Sequence, residues 1–340
     1  MQTKIIIIGA GPAGLSAAIE LKNKGDFDVT ILERKPGIDY KICAGGIEYD
    51  FLKRYLSESI IEKNFYTLRF TTPGDSICIK KDFVMISTVN RRTLHEYLAQ
   101  KAINSGVKII FDQNLKDISN NTAITHSGNA YKFDYLIGAD GSNSAVRKKL
   151  KLDSKRIIAA FQYIVKCDYP DMEFFVDLEK FGYSYAWIFP YKDTVSVGAG
   201  FYPGDSKNFS MKDLQNNLKK WAENKFDLSN SKFEAFSINY DYQGFEFGNI
   251  YLAGDAAGFA SGLTGEGIKF AILSGIDVAQ KIADPDYECV EIKKMLKTKK
   301  ASETFREYMK INPIIGKIML KSFSLSLKNE LGQRLIARIS

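Results

Sequence analysis

An α/β fold, in which a parallel nucleotide-binding sheet carries an inserted antiparallel sheet and ends in helices, is predicted by three features of the sequence. The first is a strand, glycine turn, helix and second strand over Lys4–Glu33, KIIIIGAGPAGLSAAIELKNKGDFDVTILE. The second is a pair of later strand-to-helix corners with an acid beside glycine, at Asp140 and Asp255. The third is a change of composition between those corners, where aromatic and β-branched residues alternate from Arg156 to Phe201.

In the opening unit, Ile5–Ile8 form a β-branched run, the pattern of a parallel strand buried on both faces. Gly9, Gly11 and Gly14, with Pro12 and Ala13 between the last two, make G-x-G-x-x-G. Gly9 permits the tight turn, Gly11 lets the backbone approach a pyrophosphate, and Gly14 lets the helix pack on the sheet, so that phosphates face the helix N-terminus. Glu33, followed by Arg34, closes the second strand where a carboxylate takes the ribose 2′-hydroxyl of an adenine nucleotide. A 2′-phosphate would be repelled there. Strand, turn, helix and acid together point to a dinucleotide rather than to a glycine turn of structural use only; they do not say which dinucleotide.

Bulk properties narrow the class. A chain of 340 residues with 45% hydrophobic and 26% charged residues has the composition of a globular protein with room for two lobes. No apolar run is long enough to span a bilayer, and no signal peptide precedes the first strand. Cys43, Cys78, Cys167 and Cys289 lack C-x-x-C spacing, so neither a disulfide framework nor a metal site is expected, and a reducing cytoplasm fits. With only His95 and His126, histidine catalysis has few candidates. The net charge of +7 is a property of the tail: Lys293–Ser340 holds nine Lys and three Arg against three Glu, which leaves the remainder slightly acidic.

Further along, KICAGGI (Lys41–Ile47) places Cys43 before Gly45 and Gly46, whose bare backbone suits the close approach of a flat ring, although taken alone the segment reads rather as a plain loop turning into a helix, with Cys43 a small filler. A helix is expected near Glu48–Lys63, and strands near Tyr66–Phe70 and Phe83–Ile86. In VNRRTLHEYLAQKAINSG, Leu94, Leu98 and Ala102 recur at helical spacing, and Arg91 opens the helix, where a cation is unfavourable unless a phosphate is near. The corner YLIGADGSNSAVRKKL sets Asp140 and Gly141 after a buried strand, with Ser142 or Asn143 as the helix cap. The corner IYLAGDAAGFASGLTGEGIKFAILSG sets Gly254 and Asp255 after a strand, with Gly265, Glu266, Gly267 and Ile268 leading into a helix over about Glu266–Ala283. Three such corners converge outside the carboxyl ends of a parallel sheet, and the last offers a helix N-terminus suited to negative charge on a ring such as a reduced flavin.

GAGPAG with Glu33, DGSNSAVR (Asp140–Arg147) and GDAAG (Gly254–Gly258) resemble the FAD-dependent p-hydroxybenzoate hydroxylase-like superfamily. KICAGGI, the Tyr185–Pro190 segment YAWIFP and LTGEGI (Leu263–Ile268) are similar within it to the geranylgeranyl reductase family, over roughly Lys4–Ala283. The resemblance implies a Rossmann-like FAD-binding domain of the glutathione-reductase type over 1–65, 84–154 and 241–285, a substrate domain over 66–83 and 155–240, and a basic helical segment over 286–340. It implies that Gly9, Gly11 and Gly14 hold the pyrophosphate and Glu33 the adenosine ribose, with Arg91 and Asp140 near the phosphate and ribityl region. It further implies that Asp255 binds the pyrophosphate or ribitol and that Gly265–Gly267 face the isoalloxazine. Cys43, Gly45 and Gly46 would lie on the substrate side, and Tyr185, Trp187, Phe189 and Pro190 would form the substrate wall. The chain departs from many relatives at Gly182 and Gly262, where proline is common, and in its short length.

The expected activity is saturation of isolated carbon–carbon double bonds in a polyprenyl lipid or quinone chain. Hydride would come from reduced FAD and a proton from Cys43 or a trapped water; Cys43 as a small filler of the loop is the competing role. Expected partners are the prenyl substrate, an external donor such as a ferredoxin, a quinol or NAD(P)H, and no nucleic acid. The basic tail, with Pro313–Ser326 mixing isoleucines and lysines, reads either as helices closing over the substrate domain or as a segment lying on the inner face of an anionic membrane. A monooxygenase or halogenase of the same superfamily is the alternative enzyme, although Tyr185 replaces the first tryptophan of the halogenase W-x-W-x-I-P pattern. A flavin-binding redox partner without its own turnover is the alternative outside catalysis.

Overall fold

A computed structural model of the chain describes residues 2–39, 41–205 and 209–329. Two sheets dominate it. Six strands run in the order Glu246–Phe247, Ile250–Leu252, Tyr135–Gly138, Lys4–Ile8, Asp28–Leu32 and Lys108–Ile110, parallel except at the first pair. Ile5–Ile8 sit between neighbours on both sides and are at most 5% exposed, as the β-branched run requires. On this sheet the helix Pro12–Lys24 packs against the helix Ile268–Ala283. Both approaches need bare backbone: a Cβ on Gly14 would lie 2.1 Å from the Gly9 carbonyl oxygen, and one on Gly275 would lie 2.3 Å from that of Ala13.

The second sheet has seven strands, in the order Lys232–Asn239, Ile157–Val165, Val195–Phe201, Ala186–Pro190, Met172–Phe175, Thr67–Thr72 and Asp75–Lys80, antiparallel except where Met172–Phe175 meets Thr67–Thr72. Its faces have different fates. Ala186, Ile188, Val197 and Ala199 face the helix Met211–Glu223, whose Leu214, Leu218 and Trp221 complete a core. Ile158, Ala160, Trp187 and Ile238 face the other way, with Tyr185 and Phe189 packed against them. The strand period of two therefore sorts YAWIFP into alternate faces.

Several local expectations are corrected. The helix expected over Glu48–Lys63 stops early: Tyr49–Tyr55 is helical, the Ser57 hydroxyl caps a short turn at Glu58–Ile60, and Ile61–Phe65 pairs with Ile86–Val89 in a three-stranded sheet. Its isoleucines gain more from that pairing than from another helical turn. The strand expected at Phe83–Ile86 begins at Ile86, and a hairpin strand, Asp75–Lys80, follows the turn at Pro73-Gly74. The helix Ala145–Lys149 is capped by Ser144, which accepts from the Arg147 amide, and not by Ser142 or Asn143.

At the C-terminus, Val290–Ile311 packs on Ile268–Ala283, and Pro313–Leu327 folds back on it to reach the Asp75–Lys80 strand. Asn312 caps the last helix through the Ile314 amide, and the Ser324 hydroxyl donates to Asp75 at 2.9 Å. Residues 330–340 of the basic segment lie outside the described residues.

The parallel sheet and the antiparallel sheet are tied by Arg147, which is 1% exposed. Its guanidinium donates to the carbonyls of Asp241 (2.7 Å), Asp153 (3.3 Å) and Ala256 (3.3 Å), and pairs with the Asp241 carboxylate at 3.6 Å. Removing a buried cation from such a set leaves a carboxylate and three carbonyls short of partners. Arg147→Met is expected to lower the unfolding free energy by about 3 to 5 kcal/mol, read from urea denaturation of the full chain.

Candidate active site

Between the carboxyl ends of the parallel strands, the inner face of the seven-stranded sheet and the C-terminal helices lies one cavity of about 1360 Å³. Gly9, Gly11, Pro12, Ala13, Glu33, Arg34, Arg91, Asp140, Gly141 and Asp255 line its polar end, and Gly265, Glu266, Gly267 and Ile268 lie between that end and the aromatic wall. Cys43, Gly45, Gly46, Tyr185, Trp187 and Phe189 line its middle, and Phe70, Ile79, Met309, Leu320, Phe323 and Leu327 its far end. Three expected residues stand back from it. Gly14 lies behind the turn, Gly254 gives its amide to Ser274 (2.9 Å), and Pro190 alternates to the opposite strand face, its carbonyl accepting from Thr88 (2.7 Å).

The polar end is built to receive an anionic nucleotide. A Cβ on Gly11 would meet no atom within 4 Å, so the turn is open on the ligand side. Glu33 is oriented by the amides of Ala10 (2.8 Å) and Lys35 (2.9 Å), which fix its carboxylate at the end of the second strand. Asp140 accepts from Ser144 (2.5 Å) and from the amides of Ala145 (2.6 Å) and Val146 (3.2 Å), so its carboxylate caps the adjoining helix. Burial pushes that carboxyl up, against the hydrogen bonds that favour its charge.

Arg91 is the most informative group here. It is 8% exposed, its Nη2 contacts His95 Nε2 at 2.9 Å, and its Nε has no partner among the described residues. A buried guanidinium with a spare donor and, among the described residues, no carboxylate paired with it fits a phosphate ligand. Because Arg91 can only donate, His95 Nε2 must accept, and Nδ1–H then donates to the Asp39 carbonyl at 2.6 Å. The ring is thereby assigned as one neutral tautomer; burial first, and Arg91 second, push its pKa down to about 3.

The loop before Cys43 is held from two sides. His95 grips Asp39, and Lys41 reaches across to Asp255 (2.5 Å) and Ser142 (2.9 Å). Cys43 Sγ accepts the Gly45 amide at 3.4 Å, and Tyr191 donates to the Cys43 carbonyl at 3.3 Å. The flat ring that Gly46 accommodates is that of Phe189, whose Cε2 would be 2.7 Å from a Cβ there. Opposite this loop, Tyr185 donates to the Thr264 carbonyl at 2.5 Å and Tyr202 to that of Gly262 at 3.0 Å. Burial raises both phenols, so they remain donors. Sequence reasoning missed His95, Lys41, Tyr191 and Tyr202. Only His95 left a signal, its i+4 spacing from Arg91 on a helix.

A family model described as an FAD binding domain matches residues 2–286. The chloroplastic geranylgeranyl diphosphate reductase of Arabidopsis thaliana is 28% identical over 83% of this chain and 66% of its own length. Digeranylgeranylglycerophospholipid reductase 2 of Methanosphaera stadtmanae is 26% identical over 97% of this chain and 89% of its own. Among solved structures, a geranylgeranyl bacteriochlorophyll reductase-like protein from Thermoplasma acidophilum superposes with a TM-score of 0.78 over 94% of this chain and 91% of that one, at 20% identity, a likeness of fold.

The neutral His95 has a pH consequence. Its ordinary value is 6.5 and its folded value about 3, so the unfolded chain binds the proton first. Stability from this group is full above about 6.5 and is lost as the pH falls towards about 3, at up to about 1.4 kcal/mol per unit. In urea titrations across that range, His95→Gln is expected to flatten this part of the profile relative to the parent chain.

Proposed function

We propose that this chain, which belongs to the FAD-binding domain family, is an FAD-dependent oxidoreductase that saturates isolated double bonds of a polyprenyl lipid. The observation that carries the reading is the volume and lining of the cavity. From the glycine turn it passes the aromatic wall of Tyr185, Trp187 and Phe189 and continues as an apolar channel to Phe323 and Leu327. A long methyl-branched hydrocarbon fits such a channel, because flat rings and aliphatic side chains exclude water around it. The relatives that match most of the chain, a geranylgeranyl diphosphate reductase and a digeranylgeranylglycerophospholipid reductase, support the same substrate class.

In this reading Gly9, Gly11 and the helix after them take the pyrophosphate, Glu33 the adenosine ribose, Arg91 a phosphate oxygen, and Gly265–Gly267 the ring system. Reduced FAD, when bound, supplies the hydride equivalent. Tyr185 and Trp187 hold the alkene flat, Phe189 closes against Gly46, and Cys43 and Gly45 line the space beside that contact. An isolated alkene has no carbonyl to polarise, so orientation and exclusion of water carry much of the rate. Each double bond consumes two electrons, and an external donor of ferredoxin, quinol or nicotinamide type completes the turnover.

Access for the lipid follows from the last helix. Its inner residues Leu320, Phe323 and Leu327 line the cavity, while Ile314 (67% exposed), Ile318 (59%) and Leu325 (52%) face outwards among Lys317, Lys321 and Lys328. Among the described residues no helix is long and apolar enough to cross a membrane. The width of one helix thus separates an apolar channel from an apolar outer face flanked by lysines, of which Lys317 pairs with Glu179 and Lys328 with Asp75, an arrangement suited to resting on an anionic bilayer and drawing lipid inwards.

Two measurements test this. Under anaerobic conditions, with bound FAD reduced by dithionite, a geranylgeranyl phosphate, an archaeal-type ether lipid or a menaquinone is expected to gain two hydrogens per turnover by mass spectrometry; no gain on any of them, with flavin reduced and lipid dispersed, rejects the polyprenyl reading. In flotation, the full chain is expected to rise with phosphatidylserine-containing vesicles and not with neutral ones, and Ile314→Glu combined with Ile318→Glu to stay behind; equal flotation of parent and variant rejects the docking face.

A further inference from the structure

We propose that Glu266 is the acid that delivers the proton in double-bond saturation, a role that rests on the reductase reading above. Glu266 is held by its backbone and free in its side chain. Its amide donates to Thr264 Oγ1 at 3.3 Å and its carbonyl accepts the Ser261 amide at 2.9 Å, which fixes the residue between Gly265 and Gly267 just ahead of the helix Ile268–Ala283. Its side chain lines the cavity, and among the described residues no hydrogen bond or ion pair reaches the carboxylate. A carboxyl turned into a largely apolar cavity without a protein partner is costly to keep as an anion and needs a reason to be there.

The surroundings supply the reason. Tyr185, which opens the aromatic wall, donates to the carbonyl of Thr264 two residues before Glu266, so wall and acid are parts of one rigid unit. Lys269, three residues on, is engaged by Glu48 at 2.7 Å, and Asp255 by Lys41. These four, with Tyr185 and Cys43, are the charged and titratable groups around it. Burial pushes the Glu266 carboxyl up to about 7, Lys269 pulling it down and Glu48 pushing it further up. At neutral pH a large fraction is therefore protonated and able to donate. Cys43 is committed locally, its sulfur receiving the Gly45 amide.

The step balances as follows. The O–H bond of Glu266 breaks and its proton forms a C–H bond at one alkene carbon with the π electrons, while the other carbon receives the hydride equivalent of reduced flavin. The carboxylate left behind is reprotonated from solvent along the Glu48–Lys269 edge of the cavity, where Glu48 is 52% exposed.

The test uses the full chain with FAD bound and chemically reduced. Single-turnover saturation of the prenyl lipid accepted by the parent is expected to slow tenfold per pH unit above about 7. Glu266→Gln is expected to slow it by about 100-fold or more and to abolish that limb, with FAD affinity measured by flavin fluorescence within a few fold of the parent. Glu266→Asp, which keeps an acid one carbon shorter, is expected to restore the limb with part of the rate. A Glu266→Gln protein that binds FAD and retains the parental rate or the parental limb overturns the proposal. The midpoint potential of bound flavin against pH is read without any lipid: the parent is expected to change slope near 7 and Glu266→Gln not to. A parent that turns over no prenyl lipid defeats the reductase reading, whereas identical potential profiles in parent and variant defeat the assignment of Glu266.

Discussion

One buried guanidinium sets the relation on which the site depends. Arg147 leaves the helix after Asp140, passes beneath the cavity and collects the carbonyls of Asp153, Asp241 and Ala256. Those carbonyls belong to the exit of the second corner, the return from the antiparallel sheet and the third corner. Fixing them together fixes the angle at which the seven-stranded sheet stands over the parallel one. Asp140 works in the same assembly, since the helix it caps carries Arg147. The cavity is what remains between two sheets held in this way, and its residues converge because the corners cannot move apart.

Features governed by local backbone geometry were legible in the sequence. Gly9 and Gly14 are dictated by the approach of a helix to its own strand, which any chain of this kind must solve within a few residues. The wall residues Tyr185, Trp187 and Phe189 came from the family resemblance, which also put Pro190 among them; the period of two along YAWIFP sets the first three on one face and excludes Pro190 from it. The hairpin strand Asp75–Lys80 was not expected, although its signals are local: Pro73-Gly74 marks a turn, and Ile77 and Ile79 alternate with polar residues.

Pairings between distant segments were not legible. Nothing near Lys41 announces Asp255, more than two hundred residues later, and nothing in DGSNSAVR separates the buried Arg147 from the solvated Lys148 beside it. The segment Glu48–Lys63 fails for a related reason: Ile61–Phe65 is a strand because Ile86–Val89 lies alongside, and the helical reading had no access to that neighbour. His95 lies between these cases. Its spacing from Arg91 was visible, but the burial of Arg91 with an unpartnered Nε among the described residues was not, and that burial marks the guanidinium as an anion receptor.

The two ends of the cavity make opposite demands that the same few segments reconcile. At the nucleotide end, donors must be left unsatisfied until a ligand arrives, as Arg91 Nε is. At the lipid end every polar group must be satisfied within the protein, because hydrocarbon offers no partner. The tyrosines of the wall meet the second demand by turning their hydroxyls onto carbonyls at Thr264 and Gly262, leaving their rings to the channel. The same bonds hold the loop that presents Gly265–Gly267 at the helix N-terminus, so the apolar wall and the polar cradle share their supports. A change in the wall is therefore felt at the cradle through Thr264 and Gly262, and a group placed between the two, as Glu266 is, has its geometry fixed by both.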